Sequence, residues 1–418
     1  METVLIVLLL ISLLFIGARL FVIIGAVTLL LFFMYCDLPM FSLIKSMFDM
    51  LNKSAFLAIP LYVFAGAIMA KGEIARRLVE LALALVGWMR GGLAVASVAA
   101  CMLFASISGS SPVTLITIGS IMYPAMQKRN YPDHLSIGVI SVAGSLGILI
   151  PPSIPMIIFS IVTGANINQL FLAGIIPGVI TGILLMGVSV LLGLRFQSEV
   201  VPFSSTQLWV KFKRGLPALF MPLLVLGGIY SGIYTVTEAA AVAAVYALVM
   251  EYFVFKEMKV KDIVNTLYDS VIILGIIFII IAMATAFNFF LTVEDVPMLL
   301  VDFLQSFVTN RVQFLLITIL LLLIVGLFMD IISAILILAP LLLPTALAFD
   351  VDPVQLGLIF IVGLEIGYLT PPIGINLFVA SALFNKPFGK VVSASLIFTF
   401  CLLITLFLVA FFPQFAKI

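Results

Sequence analysis

GSLGILIPPSIPMI (Gly144 to Ile157) and GLEIGYLTPPIGINL (Gly363 to Leu377) are the two stretches on which the fold turns. Each sits inside a long apolar segment and breaks its helix at the same place. Adjacent prolines remove two backbone N–H donors and clash with the preceding turn, and the nearby glycines loosen it further. In hydrocarbon, a broken helix strands polar backbone groups at several kcal/mol each unless protein, water or an ion meets them. One such break in each half of a chain points to a place in mid-membrane where something polar binds, the pattern of transporters with interrupted helices. Single prolines kink membrane helices commonly; here they are doubled, repeated and flanked by Ser145, Ser153 and Thr370.

Composition agrees. The 418 residues are 64% hydrophobic and 9% charged, with a mean hydropathy of +1.37. A soluble fold needs far more surface charge. The expectation is an all-α polytopic membrane protein with roughly ten to a dozen embedded segments of about 20 residues. Long runs such as Phe314 to Phe328 do not alternate as membrane β-strands do. A net charge of +1, with no basic tract, argues against nucleic acid. Cys36, Cys101 and Cys401 stand singly in apolar sequence and read as small buried hydrophobes. His134 is the only histidine, which leaves no histidine-based metal site. The opening stretch METVLIVLLLISLLFIGARLF has neither a basic n-region nor a small-residue cleavage site, and reads as a retained first helix.

Along the chain, Leu38 to Lys53 is amphipathic, fitting an interfacial helix or connecting arm. Lys71 to Glu80 carries five charges in ten residues. Phe196 to Arg214 is the one prolonged polar stretch and lies near the midpoint. Two crossings later comes Lys256 to Lys261, so both basic clusters fall on one side, the cytoplasm by the positive-inside bias. The second half then repeats the first. Pro344, Gly367, Leu369, Pro371 and Pro372 each lie 220 positions after Pro124, Gly147, Leu149, Pro151 and Pro152, without a gap. The same offset lays Asp330 on Ser110. The chain therefore divides into a first repeat at 1–195, with hairpin and broken helix at 105–157, a linker at 196–214, and a second repeat at 215–418, with hairpin and break at 326–377. Hydropathy leaves parallel and inverted repeats both open.

Four places offer chemistry. SISGSSPVT (Ser106 to Thr114) is either a close helix–helix contact or the tip of a re-entrant hairpin whose hydroxyls and freed backbone face a polar guest. Ser and Thr oxygens with unwound carbonyls suit a hard cation such as Na+, and N–H groups at helix starts suit a carboxylate. Asp330 lies in an apolar run, where a carboxylate costs about 3 kcal/mol or more, so it faces a polar cavity or pairs with Arg19 or Arg90. Glu238 follows two threonines and reads as a carboxylate at a helix start. Glu365 either shapes the site or holds its helix against a neighbour. Ser110 or Ser111 with His134 lacks the context of a hydrolytic serine, and no Walker loop is present, so transport rather than catalysis is expected.

These residues resemble the large membrane subunit of the tripartite ATP-independent periplasmic (TRAP) transporters. The marks are, in order, AIPLYVFAGAIMAKGEIARRL, LFASISGSSPVTLITIGSIMYPAM, GSLGILIPPSIPMI, LFLAGIIPG, GIYTVTEAAAVAAVYA and IGYLTPPIGINLFVAS, spanning nearly the whole chain. SGSSP before a threonine is closest to the C4-dicarboxylate branch, in a family that also carries sialic acids and other organic acids. Val236 departs from the usual proline of TPTEAAA and touches only a local turn.

The resemblance implies inverted repeats, each with a re-entrant hairpin and a discontinuous helix, moving as an elevator against a scaffold in the bacterial inner membrane. It implies a small four-helix membrane subunit, a periplasmic substrate-binding protein, and Na+ as the driving ion with one site per repeat. By motif, the first ion site would use Ser106, Ser110, Gly147, Ile150 and Pro152, and the second Gly326, Gly367, Thr370 and Ile373. Ser111, Asp330 and Asn376 would meet the organic carboxylate between the tips. No arginine lies in either break, so helix N-termini and sodium must balance the anion. The rivals are a self-sufficient sodium/anion symporter without a binding protein, a channel, and a purely structural scaffold.

Overall fold

The computed structural model describes residues 20–89, 91–195 and 202–415. Most of the opening stretch read as a first helix, Arg90, and residues 196–201 of the linker lie outside them. Among the described residues every regular element is helical. The first half runs α1 (Leu20–Tyr35), α2 (Met40–Leu51), α3 (Ala58–Lys71), α4 (Glu73–Val86), α5 (Gly92–Ser108), α6 (Ser111–Lys128), α7 (Asp133–Ala143), α8 (Leu146–Leu149), α9 (Ile154–Thr163) and α10 (Ile167–Gly193). The second runs α11 (Ser205–Tyr230), α12 (Val236–Leu248) with a π-helical turn at Val249–Val254, α13 (Val260–Val293), α14 (Val296–Gln305), α15 (Arg311–Gly326), α16 (Ile331–Ala348), α17 (Pro353–Tyr368), α18 (Ile375–Phe384) and α19 (Phe388–Phe411).

The offset read in the sequence recurs in the helix boundaries. Ile331 and Ala348, which bound α16, lie 220 positions after Ser111 and Lys128, which bound α6. Pro353 opens α17 220 positions after Asp133 opens α7. Pro151-Pro152 and Pro371-Pro372 are both cis. Eight helical segments among the described residues are long and apolar enough to cross a membrane, fewer than the ten to a dozen expected. Further apolar helices are shorter, among them α5 and α15, which end at the tips, and α17 and α18, which flank the second break.

The halves interlock. α9 of the first packs along α16 of the second, and α18 of the second packs along α6 of the first. Aromatic pairs join the halves as well: Phe159 of α9 meets Phe360 of α17 at 5.5 Å between ring centroids, and Tyr123 of α6 meets Phe384 of α18 at 4.5 Å. Near the latter, Lys386 and Lys390 both donate to Asp133 Oδ2, at 2.7 and 2.6 Å, while Tyr123 donates to Oδ1 at 3.0 Å. The Asp133 carboxylate holds the Lys386 ammonium above its ordinary range.

Around this interlocked body lie α1–α4 and α11–α14. The arm read at Leu38 to Lys53 is α2, which buries Leu43 beside Phe32 and Phe290 and exposes Phe41, Ile44 and Phe48. The linker is not a loose tether: from Ser205 onward it is the start of α11, where the Ser204 hydroxyl accepts from the Gln207 N–H. Lys211 there reaches Glu80 at 2.7 Å, and Arg77 stacks 3.8 Å over the Phe255 ring, so the three charged clusters share one side. Glu238 forms a capping box with Thr235, as a carboxylate at a helix start should.

The tightest helix contact in this frame is at Gly138 on α7, where an added Cβ would overlap the Ala394 carbonyl oxygen of α19. Gly138→Ala is expected to destabilise the protein by about 1–3 kcal/mol, because backbone cannot yield as a side-chain tip does. Gly187 on α10 has open space at the same position, so Gly187→Ala should be neutral or slightly stabilising. Thermal unfolding of the two variants in detergent checks the contrast, and equal melting temperatures would refute it.

Candidate functional site

At the first tip, α5 ends at Ser108, Gly109 turns through a left-handed φ of 61°, and Ser110 is extended before α6 starts at Ser111. The turn is held by hydroxyls. Thr114 Oγ1 donates to the Ser110 carbonyl at 2.9 Å and lies 2.6 Å from Ser108 Oγ. Gly147 on α8 comes so close that a Cβ there would run into the Ser110 carbonyl and Thr114 Oγ1. From the break, the Ile154 N–H donates to the Gly109 carbonyl at 3.2 Å, and the Pro152 carbonyl lies against Gly109.

Ser110, Gly147 and Pro152 therefore share one neighbourhood. Ile150 belongs to the same break, with its side chain turned onto Gly178. Ser106 stands a turn away on α5, its hydroxyl given to the Leu103 carbonyl at 2.7 Å. Pro151 and Pro152 cannot donate to the carbonyls of Gly147 and Ile148, which a continuous helix would occupy. Ser153 Oγ is buried with no partner among the described residues. Carbonyls, hydroxyls and one orphaned buried oxygen make a donor set that fits a hard cation.

The second tip repeats the arrangement with different contacts. Gly326 closes α15 against Gly367 on α17, where a Cβ would overlap the Gly326 backbone. The Thr370 N–H donates to the Gly367 carbonyl at 3.1 Å, and its hydroxyl to the Ile366 carbonyl at 2.7 Å. Ile373 ends the same break with its side chain 41% exposed. Gly326, Gly367 and Thr370 are thus brought together, with Ile373 at the edge.

The three residues read as meeting substrate separate into two groups. Ser111 and Asn376 are fully buried and bonded to each other and to Glu365. Asp330 is on the other tip, where it caps α16: its carboxylate accepts from the Ser333 N–H at 3.0 Å and from the Ser333 hydroxyl. The Tyr368 hydroxyl accepts from the neighbouring Ile331 N–H at 3.0 Å, joining that tip to the end of α17. Arg19 and Arg90, weighed as partners of Asp330, lie outside the described residues.

Between the tips and the outer helices is a cavity of about 580 Å³. Its wall includes Ser110, Ser111 and Val113 at the start of α6, Ile154 and Pro155 at the start of α9, and Ile331 and Ile332 at the start of α16. Three helix N-termini therefore border one space, two from the first half and one from the second; a helix N-terminus carries a partial positive charge, which at α16 the Asp330 carboxylate already meets. Opposite them are α3 and the first half of α13, bridged by a Lys71–Asp269 ion pair of 2.8 Å. Of the three residues read as meeting substrate, Ser111 alone lines this cavity.

Sequence reasoning missed Ser108, Thr114 and Tyr368. The two hydroxyls lay within the SISGSSPVT reading without being singled out, and Tyr368 carried no signal beyond its place in the second break.

The family described as "Tripartite ATP-independent periplasmic transporter, DctM component" matches residues 7–415. A protein named C4-dicarboxylate TRAP transporter large permease protein DctM, from Pseudomonas aeruginosa, is 40% identical over 390 residues, covering 93% of this chain and 91% of that one. The isethionate TRAP transporter permease protein DctMQ of Oleidesulfovibrio alaskensis is 38% identical over 351 residues, 84% of this chain and 55% of that longer protein. The crystal structure of the Alcanivorax borkumensis YdaH transporter covers 100% of this chain and 99% of its own, with a TM-score of 0.64 at 16% identity, a likeness of fold alone.

The two glycine contacts generate a test of the site's packing. Gly147→Ala and Gly367→Ala each place a methyl group on backbone of a hairpin tip. Each should lower stability by about 1–3 kcal/mol and also abolish any stabilisation of the parent by sodium chloride over potassium chloride. A salt-specific melting shift preserved in both variants would remove these glycines from the ion-site assignment.

Proposed function

The chain belongs to the DctM component of the tripartite ATP-independent periplasmic transporters, and we propose that it is the large permease of a sodium-coupled importer of organic carboxylates in the bacterial inner membrane. The observation that carries this reading is the convergence of three helix N-termini on one cavity that also touches a hydroxyl-lined helix break. Backbone N–H groups and helix dipoles recognise a carboxylate without a fixed arginine. A dicarboxylate comes first among substrates because the Pseudomonas relative carries that name at 40% identity. Sialic acid or another organic acid is the second choice, and the isethionate relative extends the class to a sulfonate.

In the first ion site, the Ser110 carbonyl, Thr114 Oγ1, Ser153 Oγ, the carbonyl freed at Gly147 and the Pro152 carbonyl would hold Na+, with Ser106 and Ile150 at its margin. In the second, Gly326, Gly367, Thr370 and Ile373 would contribute, mainly through backbone oxygens. Sodium bound there supplies positive charge beside the cavity. The chain's own part is to present α6, α9 and α16 end-on to the anion and to keep the Asp330 carboxylate occupied by Ser333. Asp330 itself is not part of the cavity wall, its carboxylate being turned onto the start of α16. Ser111 would contribute its backbone to the cavity wall, while Asn376 would act from behind it. The movement would be of the elevator type on inverted repeats. A small four-helix membrane subunit would complete the scaffold, and a periplasmic binding protein would deliver the cargo.

Reconstitution in liposomes tests the assignment. Uptake of a labelled dicarboxylate should require an inward sodium gradient, the small subunit and the binding protein together. Uptake by this chain alone would favour a self-sufficient symporter, and uptake without sodium would refute the coupling. Thr370→Val and Thr114→Val should each raise the sodium concentration for half-maximal uptake by about fivefold or more, the loss of one buried oxygen partner. Curves coincident with the parent's would remove that threonine from its site.

A further inference from the structure

Among the described residues lining the central cavity, Lys71 and Asp269 carry the charge, and both stand on the outer helices. Lys71 is the last residue of α3, and Asp269 lies in the first half of α13. The tips form the closed end of the space, where Ser108 and Ser111 are buried. At the Lys71–Asp269 pair the side chains are 48% and 60% exposed. Lys71 also opens the run Lys71 to Glu80, one of the charged clusters gathered on a single side by Lys211–Glu80 and Arg77–Phe255. The exposed end of the cavity therefore lies toward the side that the charge bias makes cytoplasmic.

The backbone beneath Lys71 is fixed. Glu251, on the π-helical turn after α12, accepts from the Glu73 and Ile74 N–H groups at 2.9 Å each. Gly72 is pressed so close to that carboxylate that a Cβ would overlap it. What can move is the flexible stem of the lysine and its compact ammonium. On α13, the neighbouring Thr266 and Ser270 hydroxyls donate to carbonyls of their own helix, at 2.7 Å each. Asp269 is thus the group on that face whose partner can change, and an exposed pair such as this one is worth little.

We propose that Lys71 is an anion contact on the outer wall: its ammonium leaves Asp269 for an anionic group of the substrate and returns to Asp269 when the cargo has gone. On the transport reading, from which this inference follows, the cavity gains a fixed cation that does not belong to the interlocked centre. The exchange replaces one ammonium–carboxylate contact with another, so Lys71 keeps a partner throughout and the exposed Asp269 is left to water. With the pair open, the Asp269 carboxylate stands beside a second anion. That repulsion favours departure of the cargo toward the charged side, and the pair closes behind it.

Melting of the full chain in detergent, titrated with succinate, sialic acid or isethionate in sodium chloride, reads this contact at equilibrium. The concentration giving half the maximal stabilisation should rise about fivefold or more in Lys71→Gln, which loses a charge-assisted partner. It should stay within about twofold of the parent's in Lys71→Arg, where a cation is kept. In Asp269→Asn it should fall by about twofold or more, because a weak competitor for the lysine is removed. Were the pair only a tie between two wall helices, breaking it from either side would act alike. Shifts in the same direction in Lys71→Gln and Asp269→Asn, or an unmoved value in Lys71→Gln, would overturn the proposal. A parent that none of the three anions stabilises is a different failure, that of the transport reading itself, and this inference falls with it.

Discussion

A membrane interior offers no water to a backbone that leaves its helix, so each freed N–H and carbonyl must be met by protein, an ion or a polar guest. This chain leaves its helices four times at the centre of the fold, at two tips and two double-proline breaks. The breaks are placed against the tips, so that the groups released by one element face those of another. At the first, the Gly109 carbonyl receives the Ile154 N–H and the Ser110 carbonyl receives Thr114. At the second, Tyr368 and Asp330 satisfy the start of α16. At the first break, Ser153 Oγ is left without a partner among the described residues.

The same constraint explains the small residues. Backbone can meet backbone only where no side chain intervenes, and Gly147 and Gly367 sit where a methyl group would strike a tip. Their spacing from the following prolines is the same in both halves: Gly-x-x-x-Pro-Pro at Gly147 and at Gly367. Close approach and lost donors are thus encoded together, in a six-residue unit that makes a break and fits it to its partner.

Much of this was legible beforehand because it is local. The breaks are written in Pro-Pro, the turn of the first tip in Gly109, and the repeat in an ungapped offset that reappears at the ends of α6 and α16. Asp330 shows the limit of such reading. In an apolar run it signalled a polar cavity, yet Asp330-Ile331-Ile332-Ser333 is also a cap at a helix start, and the capping contact is the one formed. Glu365 and Asn376 were both picked out, but their bonding to Ser111 was out of reach for another reason. Their shared partner, Ser111, lies more than 250 residues away from either, at a |i−j| of 254 and 265, and only the interlocking of the halves joins them.

That interlocking limits how the centre can move. Since α9 lies along α16 and α18 along α6, neither hairpin can shift without carrying the second piece of the other half's broken helix. Tyr123 on Phe384 fastens the second of these crossings, while Phe159 on Phe360 ties α9 to α17 and the two lysines on Asp133 tie α7 to the start of α19, all away from the cavity. The outer helices touch the same cavity through α3 and α13, where Lys71 and Asp269 face each other with much of their surface exposed. An exposed pair of this kind is worth little, whereas the central crossings bury aromatic surface on both sides. Under the transport reading, the weak boundary therefore runs between the interlocked centre and its surround. A substrate held by helix ends from both halves would then travel with a body that does not come apart.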